Sequence, residues 1–249
     1  MEANFIKDYV RRSWIIKPVR FIRGIASKIP YYGKKHWCPV CEKSSRKFAS
    51  VPFEGMCIHC DSLARHRFAW LYLEKRTDLF TSKDNKVLHI APERGFENKL
   101  KKHLGERYLT ADLKNPNVMV KMDITQIQYS DEQFDVIFCS HVLQQIQDDR
   151  KAMSELFRVL KNNGYAILLV PITTDITFED PAITDPGERL KMFGAEDHVR
   201  RYGHDYIDRL CFAGFKVTVT EVSDLFNEDE IRFMGLNKGA GEIYYCTKQ

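Results

Sequence analysis

Residues 134–171 constrain the fold of this chain more than any other part of the sequence. They begin with an apolar, β-branched run, continue with apolar residues at helical spacing, and end in a second apolar run. This order predicts a strand, a helix and a strand. The helix is expected to end at residues 162–164, with Lys161 in its last turn and Gly164 in a left-handed conformation. Such uniformly apolar strands are typical of a parallel sheet covered by helices, so we expect ligands at the strand carboxyl ends.

Length and composition limit the size and class of the protein. With 249 residues, 44% of them hydrophobic, the chain can bury one large core and a small appendage. No apolar run approaches the roughly 20 residues that a membrane-spanning helix needs, and no stretch resembles a secretory signal. We therefore expect a globular protein in the cytoplasm.

The positive charge is concentrated in residues 1–35, which hold nine basic and two acidic residues, whereas the rest of the chain is slightly acidic. Apolar residues alternate with these charges, and Pro18 and Gly24 divide the segment into short predicted helices. We interpret it as a basic amphipathic arm. Three interpretations remain open: it packs on its own domain, it contacts a membrane surface or a glycan-assembly partner, or it binds nucleic acid.

Four of the seven cysteines form two C-x2-C pairs separated by fifteen residues: Cys38, Cys41, Cys57 and Cys60. This spacing is typical of a tetrahedral zinc ribbon, in which four thiolates close the coordination shell and the metal is structural. A redox role for the pairs is the weaker alternative. The other three cysteines are expected to be buried as small hydrophobic residues: Cys139, Cys211 and Cys246.

A helix is predicted directly after the second cysteine pair, over residues 61–73, with Asp61 or Ser62 as its cap. Basic residues interrupt its apolar pattern at positions 65–67. The predicted organisation is therefore an arm over residues 1–35, a zinc ribbon with its linking helix over residues 36–82, and a larger α/β domain over residues 83–249.

Several short motifs in residues 86–248 resemble class I S-adenosylmethionine (SAM) dependent methyltransferases. They are FD at 134–135, SHVL at 140–143, RVLK at 158–161 and the Gly164 turn before a strand. The cysteine pairs, the run CDSLARHRFAWLYL and the later LHIAPE are similar to a subgroup that carries an N-terminal zinc ribbon, some members of which are associated with surface-glycan synthesis. The resemblance implies an α/β, Rossmann-like methyltransferase sheet of seven strands with a small N-terminal zinc ribbon.

The resemblance also implies a cofactor site for SAM. The first strand is expected to end in a loop at residues 91–95, which departs from the glycine-rich pattern of the wider family. Acidic residues follow the next two strands, and in the family they hold the ribose hydroxyls and the adenine amino group; a turn cap is the alternative role of each. The candidate cofactor residues are His89, Ala91, Glu93, Gly95, Asp112, Asp123, Ile124, Ser140 and His141, with Glu93 expected to accept from the cofactor's amino group.

The long polar segment after residue 171 is expected to form a lid or a wall of the acceptor pocket, with a second wall at residues 223–241. Residues 193–206 hold the densest group of titratable side chains. We predict His198 as the general base and Arg200 as a residue that orients the acceptor, with His204 and His141 as further candidates for the base.

Three functions fit this sequence. The first is O-methylation of a saccharide or another small polar metabolite. The second is RNA methylation, because ribosomal RNA methyltransferases also carry a zinc module and the basic arm could contact phosphates. The third is a non-catalytic SAM-fold adaptor, which the atypical loop at residues 91–95 would allow.

Overall fold

The computed structural model of the chain describes residues 29–50 and 55–248. Most of the predicted basic arm, residues 1–28, therefore lies outside the described residues. Residues 29–35, which include a short 3-10 helix at Ile29–Tyr31, lead into the ribbon, and the Tyr31 carbonyl accepts from the Arg46 N–H at 2.7 Å.

Seven strands form the central sheet, as predicted. In chain order these strands are β3 (Val87–Ile90), β4 (Tyr108–Asp112), β5 (Val120–Lys121), β6 (Phe134–Ser140), β7 (Leu160–Leu169), β10 (Phe215–Thr220) and β11 (Ile243–Lys248). Their order across the sheet is β10-β11-β7-β6-β3-β4-β5, and β11 runs antiparallel to both of its neighbours. The carboxyl ends of β3, β4, β6 and β7 therefore lie along one edge.

Two short antiparallel pairs lie outside this sheet. The pair β1 (His36–Cys38) and β2 (Lys43–Ser45) belongs to the ribbon, which we define as residues 36–63. The pair β8 (Phe178–Glu179) and β9 (Arg200–Arg201) belongs to residues 172–205, here called the outer segment.

Helices cover both faces of the sheet. They are α1 (Ala64–Arg76), α2 (Arg94–Leu104), α3 (Asp149–Val159), α4 (Pro186–Phe193), α5 (Tyr206–Phe212) and α6 (Glu228–Met234), with short 3-10 turns at Gly105–Arg107, Leu143–Gln145, Val222–Asp224 and Lys238–Ala240. One core joins α1, α2 and the ribbon to the sheet, and a second core lies under α3 and α5. The ribbon therefore shares a core with the sheet.

Gly164 differs from its predicted role. The helix before it ends at Val159, and β7 begins at Leu160 and runs through Gly164. Gly164 has no positive φ; instead, a Cβ atom there would lie 2.5 Å from the Asp135 carbonyl oxygen of β6. The position requires glycine because two strand backbones approach closely. Lys161 pairs with the Asp135 carboxylate at 2.8 Å and is not in a helix.

Two smaller predictions are also corrected. Cys139 and Cys246 are buried as expected, but Cys211 is exposed on α5. Helix α1 begins at Ala64 after Leu63, so neither Asp61 nor Ser62 is its cap residue. Within the described chain, no helix has the length and apolar character needed to span a membrane.

Candidate cofactor and acceptor site

Two residues at the carboxyl edge have a strained backbone. Ala91 follows β3 and has φ of 48°, and His141 follows β6 and has φ of 57°. The two strands are neighbours, so the strained positions lie side by side. Non-glycine residues in this region cost free energy and concentrate at functional sites. Two of the five non-glycine residues with positive φ in the described chain therefore lie at the edge where the sequence predicted a ligand.

Glu93 lies at the centre of this edge, at the start of α2, and receives a chain of hydrogen bonds. Its carboxylate is 3.2 Å from His89 Nε2, while the other ring nitrogen of His89 lies 2.6 Å from the Tyr108 hydroxyl. Burial opposes the ionisation of Glu93, but His89, His66 and the Ser140 hydroxyl outweigh it and lower its pKa to about 2. Glu93 is an anion at neutral pH and can accept from a ligand ammonium group.

Two histidines follow the same edge on the side of the outer segment. Burial, followed by the positive charge of Arg65, lowers the pKa of His141 to about 3, so its imidazole is neutral at pH 7. The charge of His198 also acts on the pKa of His141, which places the two rings in one neighbourhood. His198 is half-buried, and its Nδ1 lies 3.3 Å from the Phe193 carbonyl oxygen. Because a carbonyl accepts and never donates, this contact leaves Nε2 of a neutral ring unprotonated and able to take a proton.

Asp112 and Asp123 follow β4 and β5 and use their carboxylates in turns. Asp112 Oδ1 accepts from the Lys114 and Asn115 N–H groups at 2.6 and 2.7 Å. Asp123 Oδ1 accepts from the Thr125 N–H and hydroxyl, each at 2.8 Å. These are the turn-cap roles foreseen as the alternative. Both turns use Oδ1, which leaves Oδ2 of each residue for a ligand. Ile124, beside Asp123, is buried in the second core.

The lack of a side chain at Gly95 allows the ribbon to pack closely against the cofactor loop, residues 91–95. A Cβ atom at Gly95 would lie 3.3 Å from the Cys60 carbonyl oxygen and 3.8 Å from a methyl group of Val40. The glycine in the first turn of α2 therefore lets the cysteine pair pack directly against the loop.

The four predicted metal ligands lie together. The sulfur atoms of Cys38, Cys41, Cys57 and Cys60 all lie within 4.8 Å of one another, and two pairs are 3.7 Å apart. A tetrahedral zinc ion with Zn–S bonds of about 2.3 Å requires sulfur atoms about 3.8 Å apart, so the cluster fits one such ion. The Ser62 hydroxyl lies 3.2 Å from both Cys38 Sγ and Cys60 Sγ and can donate to a thiolate.

Arg200 is not placed to orient an acceptor. It is 3% exposed, and its guanidinium donates to Glu179 at 2.7 Å and to main-chain carbonyls of residues 143, 146 and 147. Arg209 pairs with the other oxygen of Glu179 at 2.7 Å and with Asp149 at 3.1 Å. The sequence showed a polar cluster, but these partners lie 21 to 57 positions away. Arg200 holds the outer segment against the body.

His204 is exposed and lines a cavity of about 640 Å³. One wall of this cavity is residues 172–175 after β7, and the other lies within residues 221–242; both belong to segments that the sequence predicted as walls of the acceptor pocket. Its charged lining includes Asp175, Glu221, Glu242 and Lys238. The main-chain N–H of His141 donates to the main-chain carbonyl of Leu169 at 2.8 Å. The sheet edge that carries the cofactor candidates therefore continues directly into the wall formed after β7.

Two residues of the site were not predicted as functional, Arg65 and His66. Arg65 Nε is buried without a hydrogen-bond partner among residues 29–50 and 55–248, and His66 Nε2 lies 3.5 Å from Glu93 Oε1. Polar residues inside the otherwise apolar helix LARHRFAWLYL were the available signal. Their spacing alone does not show which face of the helix meets the cofactor loop.

Comparison with known proteins agrees with this fold. Residues 79–168 match a family model described as a methyltransferase domain. No curated protein matches the chain. A solved structure of the 1,6-didemethyltoxoflavin-N1-methyltransferase of Burkholderia thailandensis, with 1,6-didemethyltoxoflavin and S-adenosylhomocysteine bound, has 12% identity and a TM-score of 0.50, over 76% of this chain and 80% of that one.

Two further solved structures are similar to this chain. The 4+2 cyclase SpnF has 14% identity and a TM-score of 0.50, over 78% of this chain and 89% of that one. A SAM-dependent methyltransferase from Mesorhizobium loti has 12% identity and a TM-score of 0.49, over 72% and 97% of the two chains. Likeness to the two structures with a TM-score of 0.50 shows the class I methyltransferase fold, and the family match supports a SAM-dependent methyltransferase. Because one similar protein is a cyclase, the fold alone does not fix the reaction.

Proposed function

We propose that this protein is a SAM-dependent methyltransferase that methylates a hydroxyl group of a saccharide or another small polar metabolite. The observation that carries the proposal is the continuity of two sites along one sheet edge. The anionic Glu93 and the strained Ala91 and His141 lie where a cofactor would bind, and the polar cavity follows at the end of β7. Neighbouring strands are about 4.8 Å apart, so the two sites are within reach of one transfer step.

Residues of the chain can hold each part of the cofactor. Glu93 would accept from the amino group, Asp112 from the ribose hydroxyls and Asp123 from the adenine amino group. Bound SAM supplies a methyl group on a sulfonium that is already an excellent leaving group. The protein must therefore align the acceptor, exclude water and remove one proton.

His198 is the proposed general base. Its Nε2 would take the proton of the acceptor hydroxyl while Nδ1 stays bonded to the Phe193 carbonyl. His204 lines the cavity, so we assign it to acceptor binding. Because His141 is neutral, it would add no second cation beside the sulfonium of bound SAM.

The acceptor class is proposed from the lining of the cavity. Carboxylates of Asp175, Glu221 and Glu242, with the Thr173 and Thr174 hydroxyls, are acceptors and donors suited to a polyol. The same carboxylates would repel a phosphate backbone, because Lys238 is the one lysine or arginine among the described lining residues. This lining favours a saccharide over RNA.

We also propose that the cysteine cluster holds structural zinc and that the protein belongs to the zinc-ribbon subgroup. The sulfur spacing and the closed set of four thiolates support this assignment.

The test has two stages. Thermal melts with S-adenosylhomocysteine at about 100 times its dissociation constant should show a stabilisation of about 2.7 kcal/mol. An unchanged melting temperature would favour the alternative of a non-catalytic SAM-fold adaptor. Transfer of labelled methyl groups is then measured with monosaccharide, oligosaccharide and RNA acceptors. We expect His198→Ala to lower turnover by about 100- to 10,000-fold without changing cofactor affinity. Unchanged turnover would eliminate His198 as the base, and methylation of RNA alone, with a salt-sensitive gel shift, would replace the acceptor class.

A further inference from the structure

The first turn of α1 places beside the cofactor loop two donors that make no hydrogen bond within the described residues. Arg65 Nε is buried and has no hydrogen-bond partner in the part of the chain that the structure describes. His66 is 9% exposed. Because the Leu63 N–H donates to His66 Nδ1 at 3.1 Å, the proton of the neutral ring is on Nε2, and this N–H also makes no hydrogen bond within the described residues. Buried donors without acceptors cost free energy that a bound acceptor would recover.

The charges around these donors indicate the kind of ligand. Glu93 Oε1 lies 3.5 Å from His66 Nε2, and the charge of Glu93 acts on Arg65. A guanidinium and a carboxylate side by side complement a zwitterion, whose carboxylate meets the donors while its ammonium meets Glu93. A phosphate or sulfate has no positive group to offer Glu93 and would be repelled by it. The pattern therefore matches an α-amino acid.

We infer that helix α1, which follows the ribbon, completes the cofactor site, with Arg65 and His66 binding the α-carboxylate of the methionine part of SAM. This inference rests on the proposed function and extends it, since it makes the helix joined to the ribbon part of cofactor recognition. Gly95 supports the arrangement, because the absence of a side chain there brings the Cys60 backbone against the cofactor loop.

The ribbon and the donors are also linked along the chain. Ser62 contacts two of the clustered thiols, and Arg65 and His66 follow three and four residues later on a rigid helix. Arg67, next in sequence, is anchored by four hydrogen bonds to main-chain carbonyls. The cysteine cluster, the two donors on α1 and the Arg67 anchor are therefore held at fixed positions relative to each other.

The experiment compares two ligands that differ in the amino-acid part. Isothermal titration is carried out with S-adenosylhomocysteine and with 5′-methylthioadenosine, which keeps the nucleoside and the sulfur but lacks the carboxylate and the ammonium. We expect Arg65→Gln to weaken S-adenosylhomocysteine binding by about 10- to 100-fold, as for a lost charged hydrogen bond, and to leave methylthioadenosine affinity unchanged. Arg65→Lys should restore part of the loss.

Arg76→Gln is the matched control, because Arg76 is an exposed arginine at the end of the same helix. Zinc content and melting temperature are measured for each variant, and His66→Gln replaces Arg65→Gln if the latter does not fold. The inference would be overturned if Arg65→Gln left the affinity for S-adenosylhomocysteine unchanged, or if it lowered the affinities for both ligands equally. If the unmodified protein bound neither ligand, the proposed function itself would fail.

Discussion

The ribbon and the outer segment lie on two sides of the proposed site but are held by different chemistry. On the ribbon side, Arg67 is fully buried and donates to the main-chain carbonyls of Gly55, Ser62, Met234 and Gly235. On the other side, a guanidinium–carboxylate network holds the outer segment. Carboxylates titrate and carbonyls do not, so acid should weaken the side of the outer segment. The ribbon side should instead be weakened by loss of metal.

Metal removal should have the largest effect, and on the ribbon side. A chelator, or Cys57→Ser, takes away the ion that would join two distant cysteine pairs, so we expect the ribbon to unfold and the melting temperature to fall by more than 10 °C. Calorimetry with and without added zinc measures this change. Cys211→Ser, at an exposed cysteine, is the control and should have the same melting temperature as the native protein. An unchanged melt for Cys57→Ser would show that the metal does not hold the ribbon.

Arg67→Met tests the non-titrating anchor. The variant leaves four buried carbonyls without their donor and removes the stacking of the guanidinium on Phe48 at 3.9 Å, so we expect a loss of about 3 kcal/mol. Urea unfolding at pH 7 measures it, with Arg76→Met as control at about 0.5 kcal/mol or less. The loss should be similar at pH 4; a loss that depends strongly on pH would contradict the non-titrating character of this anchor.

Glu179→Gln tests the titrating network and should have the smallest effect. Burial opposes ionisation of Glu179, but Arg209 and Arg200 outweigh it and lower its pKa from 4.5 to about 2. A lowered carboxyl pKa contributes stability that is complete above about pH 4.5 and is lost as the pH falls towards 2. Because the side chain is 38% exposed, solvent screens the pairs, and we expect about 1 kcal/mol at pH 7.

Urea unfolding from pH 7 to pH 2.5 measures this contribution. The difference between the native protein and Glu179→Gln should shrink across the acid range, whereas Glu188→Gln, at an exposed glutamate, should show no such trend. A difference that stayed constant with pH would show that Glu179 acts through packing and not through charge.

The sequence predicted the sheet and the cysteine cluster because both signals are local. Apolar runs such as that of β6 and the C-x2-C spacing are visible without knowing the tertiary structure. The role of Arg200 was not visible, since its polar neighbours in sequence, such as His198 and His204, point to a solvent-facing site while its actual partners come from β8 and the turn after β6. Gly164 was assigned to a turn because its interstrand contact with Asp135 leaves no local signal.

Arg65 and His66 show the same limit in another form. Their residue types were unusual for a buried helix, but the function inferred for them depends on Glu93, 27 positions from His66 and on a different element. The sequence pattern shows that a polar residue is unusual at its position in a helix. Only the tertiary structure shows which charged side chain that residue faces.

The shared core of α1 and the sheet sets a limit on how far this protein can be shortened. A fragment that began at β3 would expose to water the sheet face that Phe68, Trp70 and Leu73 now cover, and the carbonyls at the end of α6 would lose the guanidinium that binds them. Expression of residues 87–249 alone should therefore yield aggregated protein, and any minimal version has to retain the ribbon as part of the fold.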